Sequence, residues 1–484
     1  MCGVSTVIAT VVLFGVAAGS TAACDGHGES CGCEDPDVTL RCMIADASPG
    51  DTILVPPGAY HGPIVIDKPL TLIGVDRPTL RGGSGDILEI NAANVTISGF
   101  LLAATGDSLE RENCAVRVNA GSAVIEDNIL YDVLFGIDLK NAAGSVIARN
   151  YIGGKDLDIA RRGDGIRLYR SDAATIEGNV LEDGRDAILW YSTGVVVREN
   201  TSRRCRYGFH LMFSGDVTIE GNDLQENSVG VYIMYSKGLT IRENLLAKNR
   251  GPSGYGLGLK ESDDYTISRN TMTANRVGVY VDGSPFTVEG PADFTGNLLA
   301  CNDVGMTMLP SVKGNRVHGN SFIDNAEQVA VAGRGELIDN DFDVEKRGNY
   351  WSDYGGYDAD GDGIGEAEFE SRKLFENLTD HRPELRLFRY GPVHEAIEFV
   401  ARAVPAVRPE PKFVDWYPMT TPPPSGAAVA SLSARGPTVR TGLALTAVAA
   451  SIAGLAFASS PIASSLRRAA SGARRLAFRA GGES

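Results

Sequence analysis

The sequence predicts an all-β chain wound as a right-handed parallel β-helix, a solenoid of about 13 coils of ~22 residues, on three observations. First, an asparagine returns at steps of 20 to 29 residues: Asn128, Asn150, Asn179, Asn200, Asn222, Asn244, Asn270, Asn297, Asn320 and Asn340. Second, from Asn222 onward an echo follows five positions later, at Asn227, Asn249, Asn275, Asn302 and Asn325. Third, a short apolar strand opened by glycine follows each pair, as at Gly208-Phe-His-Leu-Met212, Gly230-Val-Tyr-Ile-Met234 and Gly278-Val-Tyr-Val-Asp282.

Each element has a physical reason. Asparagine tolerates the left-handed backbone of a tight corner, and its amide can bond to the amides stacked above and below. Within a strand, successive side chains alternate between the two faces. The first residues after each glycine (Ile137, Ile166, Phe209, Val231, Leu257, Val279, Met306) and the third (Leu139, Leu168, Leu211, Ile233, Leu259, Val281, Met308) are apolar and are expected inside. The second and fourth then face out. The asparagine columns read as structural ladders without chemistry.

Along the chain, residues 1–23 read as an export signal, with the apolar run Val4 to Ala18 and then Ala22-Ala23-Cys24, although no Lys or Arg precedes Val4. A removable signal and a lipidated Cys24 are both open. Residues 24–45 form a Cys-rich segment or cap. Its Cys24, Cys31, Cys33 and Cys42 suit two disulfides, one bridge beside a lipidated Cys24, or a soft-metal site with His27. Residues 46–345 carry the coils, a rod on the order of 60 Å at about 4.8 Å per coil. Residues 346–402 read as an irregular C-terminal cap with an Asp-rich loop, and 403–440 as a Pro-rich linker. Residues 441–466 are uncharged and precede the basic tail 467–484, which holds Arg467, Arg468, Arg474, Arg475 and Arg479. This pattern suits one spanning helix with a cytoplasmic C-terminus, or an amphipathic or disordered tail. The expected location is periplasmic or otherwise extracytoplasmic. A net charge of −16 with no basic stripe argues against nucleic acid as a partner.

Chemistry is expected on the outward positions, because the interior is filled. Trp190, Met212 and Met234 recur there at steps of 22, His210 shares the face, and Ile188 and Tyr232 flank it on the adjoining coils. Two thioethers and an imidazole suit Cu(I), so His210, Met212 and Met234 are candidate ligands. Trp190, Tyr232 and Ile188 are a candidate docking surface for a partner. Asp358, Asp360, Asp362 and Glu366 resemble half of a calcium loop, but Phe369 stands where an EF-hand carries its bidentate acid. Asp156, Asp158 and Asp164 carry a polysaccharide-cleaving alternative, without an acid–base pair aligned on one face. Trp190, Tyr232 and Tyr280 carry a carbohydrate-binding alternative through stacking. Cys205 replaces an echo asparagine, and Cys114 and Cys301 are expected as packing residues. Gly254-Tyr-Gly-Leu-Gly258 lies inside a coil and is not a nucleotide fingerprint.

Several of these strings, in this order, resemble one family. They are Arg185-Asp-Ala-Ile-Leu-Trp-Tyr-Ser192, Arg206-Tyr-Gly-Phe-His-Leu-Met-Phe-Ser214, Val229-Gly-Val-Tyr-Ile-Met-Tyr-Ser236, Asp282-Gly-Ser-Pro285 and Gly348-Asn-Tyr-Trp-Ser-Asp-Tyr354 with the loop that follows. All are similar to the NosD family of nitrous oxide reductase maturation proteins. The opening Gly50-Asp-Thr-Ile-Leu-Val-Pro-Pro-Gly-Ala-Tyr60 is shared more widely among β-helices resembling sugar hydrolases. The resemblance implies a non-enzymatic periplasmic protein working with an ABC transporter (ATPase and permease). It further implies copper received from a membrane-anchored chaperone and passed to nitrous oxide reductase, whose copper–sulfide centre is assembled. The Cys-rich segment and the spanning candidate lie outside the matched stretch.

Overall fold

The computed structural model describes residues 36–423, apart from 288–289, 334 and 390. The export signal, Cys24, Cys31 and Cys33, and the candidate span 441–466 with its basic tail lie outside the described residues. Among the described residues, no helix is long and apolar enough to cross a membrane.

Alternation of apolar and polar residues over three to six positions, broken by corners, folds the chain into three parallel sheets that run its length. They hold 12, 13 and 12 strands, and each strand pairs with the strand three further along the chain, save that the last strand of the 13 follows two further on. The count is therefore 12 full coils plus one extra strand, Tyr350–Trp351, rather than about 13 coils. In-register pairing stacks like on like. One interior column of the first sheet runs Leu72, Ile97, Ile125, Ile147, Ile176, Val197, Ile219, Ile241, Ile267, Phe294, Val317, all but excluded from solvent. The residues expected inside the third sheet, from Ile137 to Met308, are likewise buried. Stacked coils thus share one continuous apolar core.

The corners correct the role assigned to asparagine. The residue before each ladder asparagine takes the left-handed conformation, for example Arg149 (φ 54°), Glu199 (φ 56°), Gly221 (φ 64°) and Glu243 (φ 58°). The asparagine itself points inward as the hydrogen-bonding member. Asn222 Nδ2 donates to Asn244 Oδ1 at 2.9 Å, while its own Oδ1 accepts from the Asn200 backbone N–H and Nδ2 at 2.9 and 3.0 Å. This ladder runs from Asn128 through Asn320 and ends on Asn349. Asn340, expected to close it, pairs with Asn315 instead. The echo column runs from Asn227 to Asn325, and Cys205 tops it by donating its backbone N–H to Asn227 Oδ1. A third column of serines, Ser171, Ser192, Ser214, Ser236, Ser262 and Ser284, repeats the device at the remaining corner.

Both ends of the core are covered. Helix α1 (Pro36–Asp46) buries Leu40 and Ile44 against the first coil. At the other end Trp351 stacks between Phe322 and Phe369, with ring centroids 4.4 and 4.5 Å away. Helices α2 (Leu374–His381) and α3 (Pro392–Ala403) flank it. The expected linker from residue 403 begins differently, because the segment bearing Lys412, Phe413, Asp415 and Met419 packs back and is buried. Its Val414–Asp415 strand pairs antiparallel with Phe369–Glu370. The physical reason is that the open end of the solenoid leaves an apolar face and orphan donors. Phe413 fills the first, and Asp415 Oδ2 accepts from Asn349 N–H and Trp351 Nε1 at 2.7 and 2.8 Å.

Burial pushes the Asp415 carboxyl up to about 6, despite the hydrogen bonds it accepts. The folded protein then holds this proton more tightly than the unfolded chain, whose value is near 3.8. Stability contributed here falls as pH rises from about 4 to about 6, and the penalty is complete above that. Asp415→Asn is expected to flatten the pH dependence of unfolding between pH 4.5 and 7.5, by on the order of 2 kcal/mol relative to the native chain. Denaturant titrations at both pH values measure the difference; parallel profiles would show that Asp415 does not take up this proton.

Candidate functional site

The outer face of the third sheet brings the expected residues together. Trp190 pairs in register with Met212 and Met212 with Met234, while Ile188, His210 and Tyr232 form the next outward row. Partnered residues on neighbouring strands lie about 4.8 Å apart, so the two thioether side chains start from adjacent rungs. The face is less open than the sequence implied. Trp190, Met212, Met234 and Tyr232 are half-buried, and Ile188 and His210 are buried. Tyr207 sets its edge against the His210 ring at 5.0 Å and Tyr232 lies stacked at 6.2 Å, so aromatic walls enclose the imidazole. Burial raises the Tyr207 and Tyr232 hydroxyls, which stay protonated at neutral pH.

A charged support under His210 was not legible in the sequence. Asp186, fully buried, lies 3.3 Å from His210 Nδ1 through Oδ2. Arg206 binds the same carboxylate with Nε at 2.9 Å and with Nη2. Burial raises the Asp186 carboxyl, but the bonds from Arg206 and His210 outweigh it and hold the group below its ordinary value. The strand pairing explains the omission: the register slips between Asp186 and Ile188, so Asp186 pairs with Tyr207 and misses the 22-residue step. On the other side of the ring, His210 Nε2 is buried and has no hydrogen-bond partner among the described residues, and the same holds for Trp190 Nε1.

A second column stands at the adjacent corner. Tyr191, Phe213 and Tyr235 occupy three successive left-handed positions (φ 50°, 53° and 52°). Their rings stack at 5.0 and 4.9 Å, and Trp190 stacks on Tyr191 at 5.9 Å. Aromatic residues are unfavourable at such φ values by about 1–2 kcal/mol each. Glycine or asparagine would fit more easily, so ring stacking offsets the strain.

The other candidates fall elsewhere. The ligand atoms of Asp358, Asp360 and Asp362 converge within 4.8 Å, while Glu366 accepts from the Ala359 N–H. Three of these carboxylates also accept backbone N–H groups of their own loop. Asp156 and Asp158 are exposed, and Asp158 caps a short helical turn. Asp164 is buried in a bidentate pair with Arg185 at 2.9 and 3.0 Å. No acid–base pair forms among these three. Cys42 is exposed on α1. Cys114 and Cys205 are buried, and burial pushes the Cys205 thiol up to about 11, which suits packing. Cys301, expected as a packing residue, is exposed at a corner (φ 55°). A cleft of about 420 Å³ lies in the C-terminal cap between Asp353, Tyr354, Lys373 and Glu376, away from His210.

Upstream on the outer face, Arg117 and Arg167 clamp the buried Asp138, and Arg167 also holds Glu112 at 2.7 Å. Arg167 keeps the Glu112 carboxyl down at about 2. Both acids are paired with cations, and the low-held Glu112 is unsuited to be the proton donor of glycosidic cleavage.

The fold of this chain is similar to the A-module of a mannuronan C-5 epimerase from Azotobacter vinelandii, with a TM-score of 0.52 and 15% identity over 65% of this chain and 94% of that one. That likeness concerns the fold alone. A family model described as "Periplasmic copper-binding protein (NosD)" matches residues 148–356, which include the whole His210 face. A protein of Pseudomonas aeruginosa named "Probable ABC transporter binding protein NosD" is 31% identical over 403 residues, 76% of this chain and 87% of that protein. Its namesake in Stutzerimonas stutzeri is 28% identical over 397 residues, 75% of this chain and 86% of its own length. With this identity sustained along three quarters of the chain, over the coils and the face they carry, the chain belongs to the NosD family.

Proposed function

We propose that this chain is a non-enzymatic periplasmic accessory protein that holds Cu(I) transiently on His210, Met212 and Met234. It docks a copper donor and acceptor on the surrounding aromatic face. With an ABC transporter, it supports copper delivery to nitrous oxide reductase and assembly of that enzyme's copper–sulfide centre. The observation that carries the reading is the buried His210 Nε2, unpartnered among the described residues, on the face where Met212 and Met234 stand in register. A buried nitrogen lone pair without a donor is unfavourable, and a soft cation beside two thioethers would satisfy it. The family description as periplasmic and copper-binding supports the cargo, and the relatives' names support the transporter.

Partial burial suits a carrier. Tyr207, Tyr232 and Trp190 exclude water from the ligands, while Met212 and Met234 remain half-exposed for a partner to reach. The stacked column from Trp190 to Tyr235 offers docking area at the rim. The same stacking disfavours sugar binding, because each interior ring face is already covered by its neighbour.

Anaerobic titration of the purified protein with Cu(I) against a competing chelator tests the reading. One tightly held equivalent is expected. Failure of the native chain to compete for Cu(I), or depolymerisation of acidic oligosaccharides by it, would sink the proposal.

A further inference from the structure

We propose that Asp186 is a positioning residue for the metal face: it fixes the proton of His210 on Nδ1 and so presents Nε2 as the ligand atom. The inference deepens the copper reading above and rests on it for its consequence, though not for its geometry.

The two ring nitrogens of a neutral imidazole are distinct, and the hydrogen bond made by one decides what the other can do. Here Nδ1 faces the Asp186 carboxylate at 3.3 Å. A carboxylate only accepts, so the nitrogen facing it must carry the proton. Asp186 is itself held from behind by the two-pronged contact of Arg206, which leaves Oδ2 oriented toward the ring. Arg206 is braced in turn by lying over the Tyr207 ring at 4.5 Å, and Tyr207 edges the imidazole. Arg206, Asp186 and His210 thus form a relay from three consecutive structural roles: counter-charge, acceptor and ligand. In the neutral ring this leaves the Nε2 lone pair buried and, among the described residues, unpartnered, on the face of Met212 and Met234.

The reverse tautomer is unfavourable for two reasons. It would set the Nδ1 lone pair against a carboxylate oxygen, and it would bury an N–H at Nε2 with nothing to receive it. Carboxylate partners of ligating histidines orient the ring and raise its basicity, and their loss typically weakens metal binding about 10- to 100-fold.

Long-range nitrogen–proton NMR of the metal-free protein tests this directly, with His210 assigned among the six histidines by its loss in His210→Ala. The expected spectrum has a protonated Nδ1 and an unprotonated Nε2. In Asp186→Asn the tautomers are expected to mix, and Cu(I) affinity to fall about 10- to 100-fold while the circular dichroism spectrum is kept. A native spectrum with the proton on Nε2 overturns the proposal, and needs no Asp186 variant to fold. An affinity lost in His210→Ala but unchanged in Asp186→Asn also overturns it, with the copper reading intact. If neither substitution alters affinity, the copper site is wrong, while the native tautomer still decides the role of Asp186.

Discussion

Replacing Met212 and Met234 by leucine together with His210→Ala is expected to lower Cu(I) affinity by on the order of 100-fold or more, with little loss of fold. The magnitude follows from the donors removed: loss of a supporting partner alone costs about 10- to 100-fold, and direct ligands cost more. Leucine keeps nearly the volume of methionine, so packing of the half-buried side chains changes by less than about 1.5 kcal/mol. The substitution therefore separates sulfur chemistry from shape. Because Met212 and Met234 start from neighbouring rungs, each single Met→Leu change is expected to lose part of the affinity and the pair more than either. Chelator competition measures affinity and circular dichroism the fold. Undiminished affinity in the triple variant would remove these three residues from the site, even if copper binds elsewhere on the chain.

Asn222→Ala is expected to destabilise the protein by about 3 to 6 kcal/mol, far above an ordinary polar-to-alanine change. Asn222 is completely buried. Its Oδ1 satisfies two donors of Asn200, and its Nδ2 serves Val197 O, Glu220 O and the Asn244 amide. Alanine leaves the Asn200 backbone N–H without its acceptor and takes one partner each from Asn200 Nδ2, Val197 O, Glu220 O and Asn244 Oδ1, at about 1–3 kcal/mol for each group that water cannot reach. In a solenoid each coil contacts only its neighbours, so the damage should be local. Hydrogen exchange is expected to quicken first in the strands Val196–Arg198, Gly215–Glu220 and Lys237–Arg242. A loss below about 1 kcal/mol, with uniform exchange, would mean that water replaces the amide and that the ladder is dispensable.

How far the sequence could be read depended on whether a feature obeyed the coil period. The parallel sheets, their inward columns and the alignment of Trp190, Met212 and Met234 were all legible, because in-register pairing converts a step of 22 residues into a contact. Features that break the step were not. Asp186 and His210 meet across a register slip, 24 residues apart, so no periodic count pairs them. Asn340 obeyed the spacing yet left the ladder to Asn349, because the chain between them turns aside to pair with Asn315. Phe413 and Asp415 sat in a proline-rich stretch whose composition suggests a linker, but the exposed end of the core and its orphan donors recruited them.

The sequence by itself determined the solenoid, its family and the chemical character of one face, since periodicity and residue type are properties of the chain alone. Only the tertiary structure decided that His210 is enclosed by Tyr207 and Tyr232, braced by Asp186 and Arg206, and left with one open nitrogen. Burial and hydrogen-bond partners arise from neighbours on other coils, and a local pattern of residues carries no record of them.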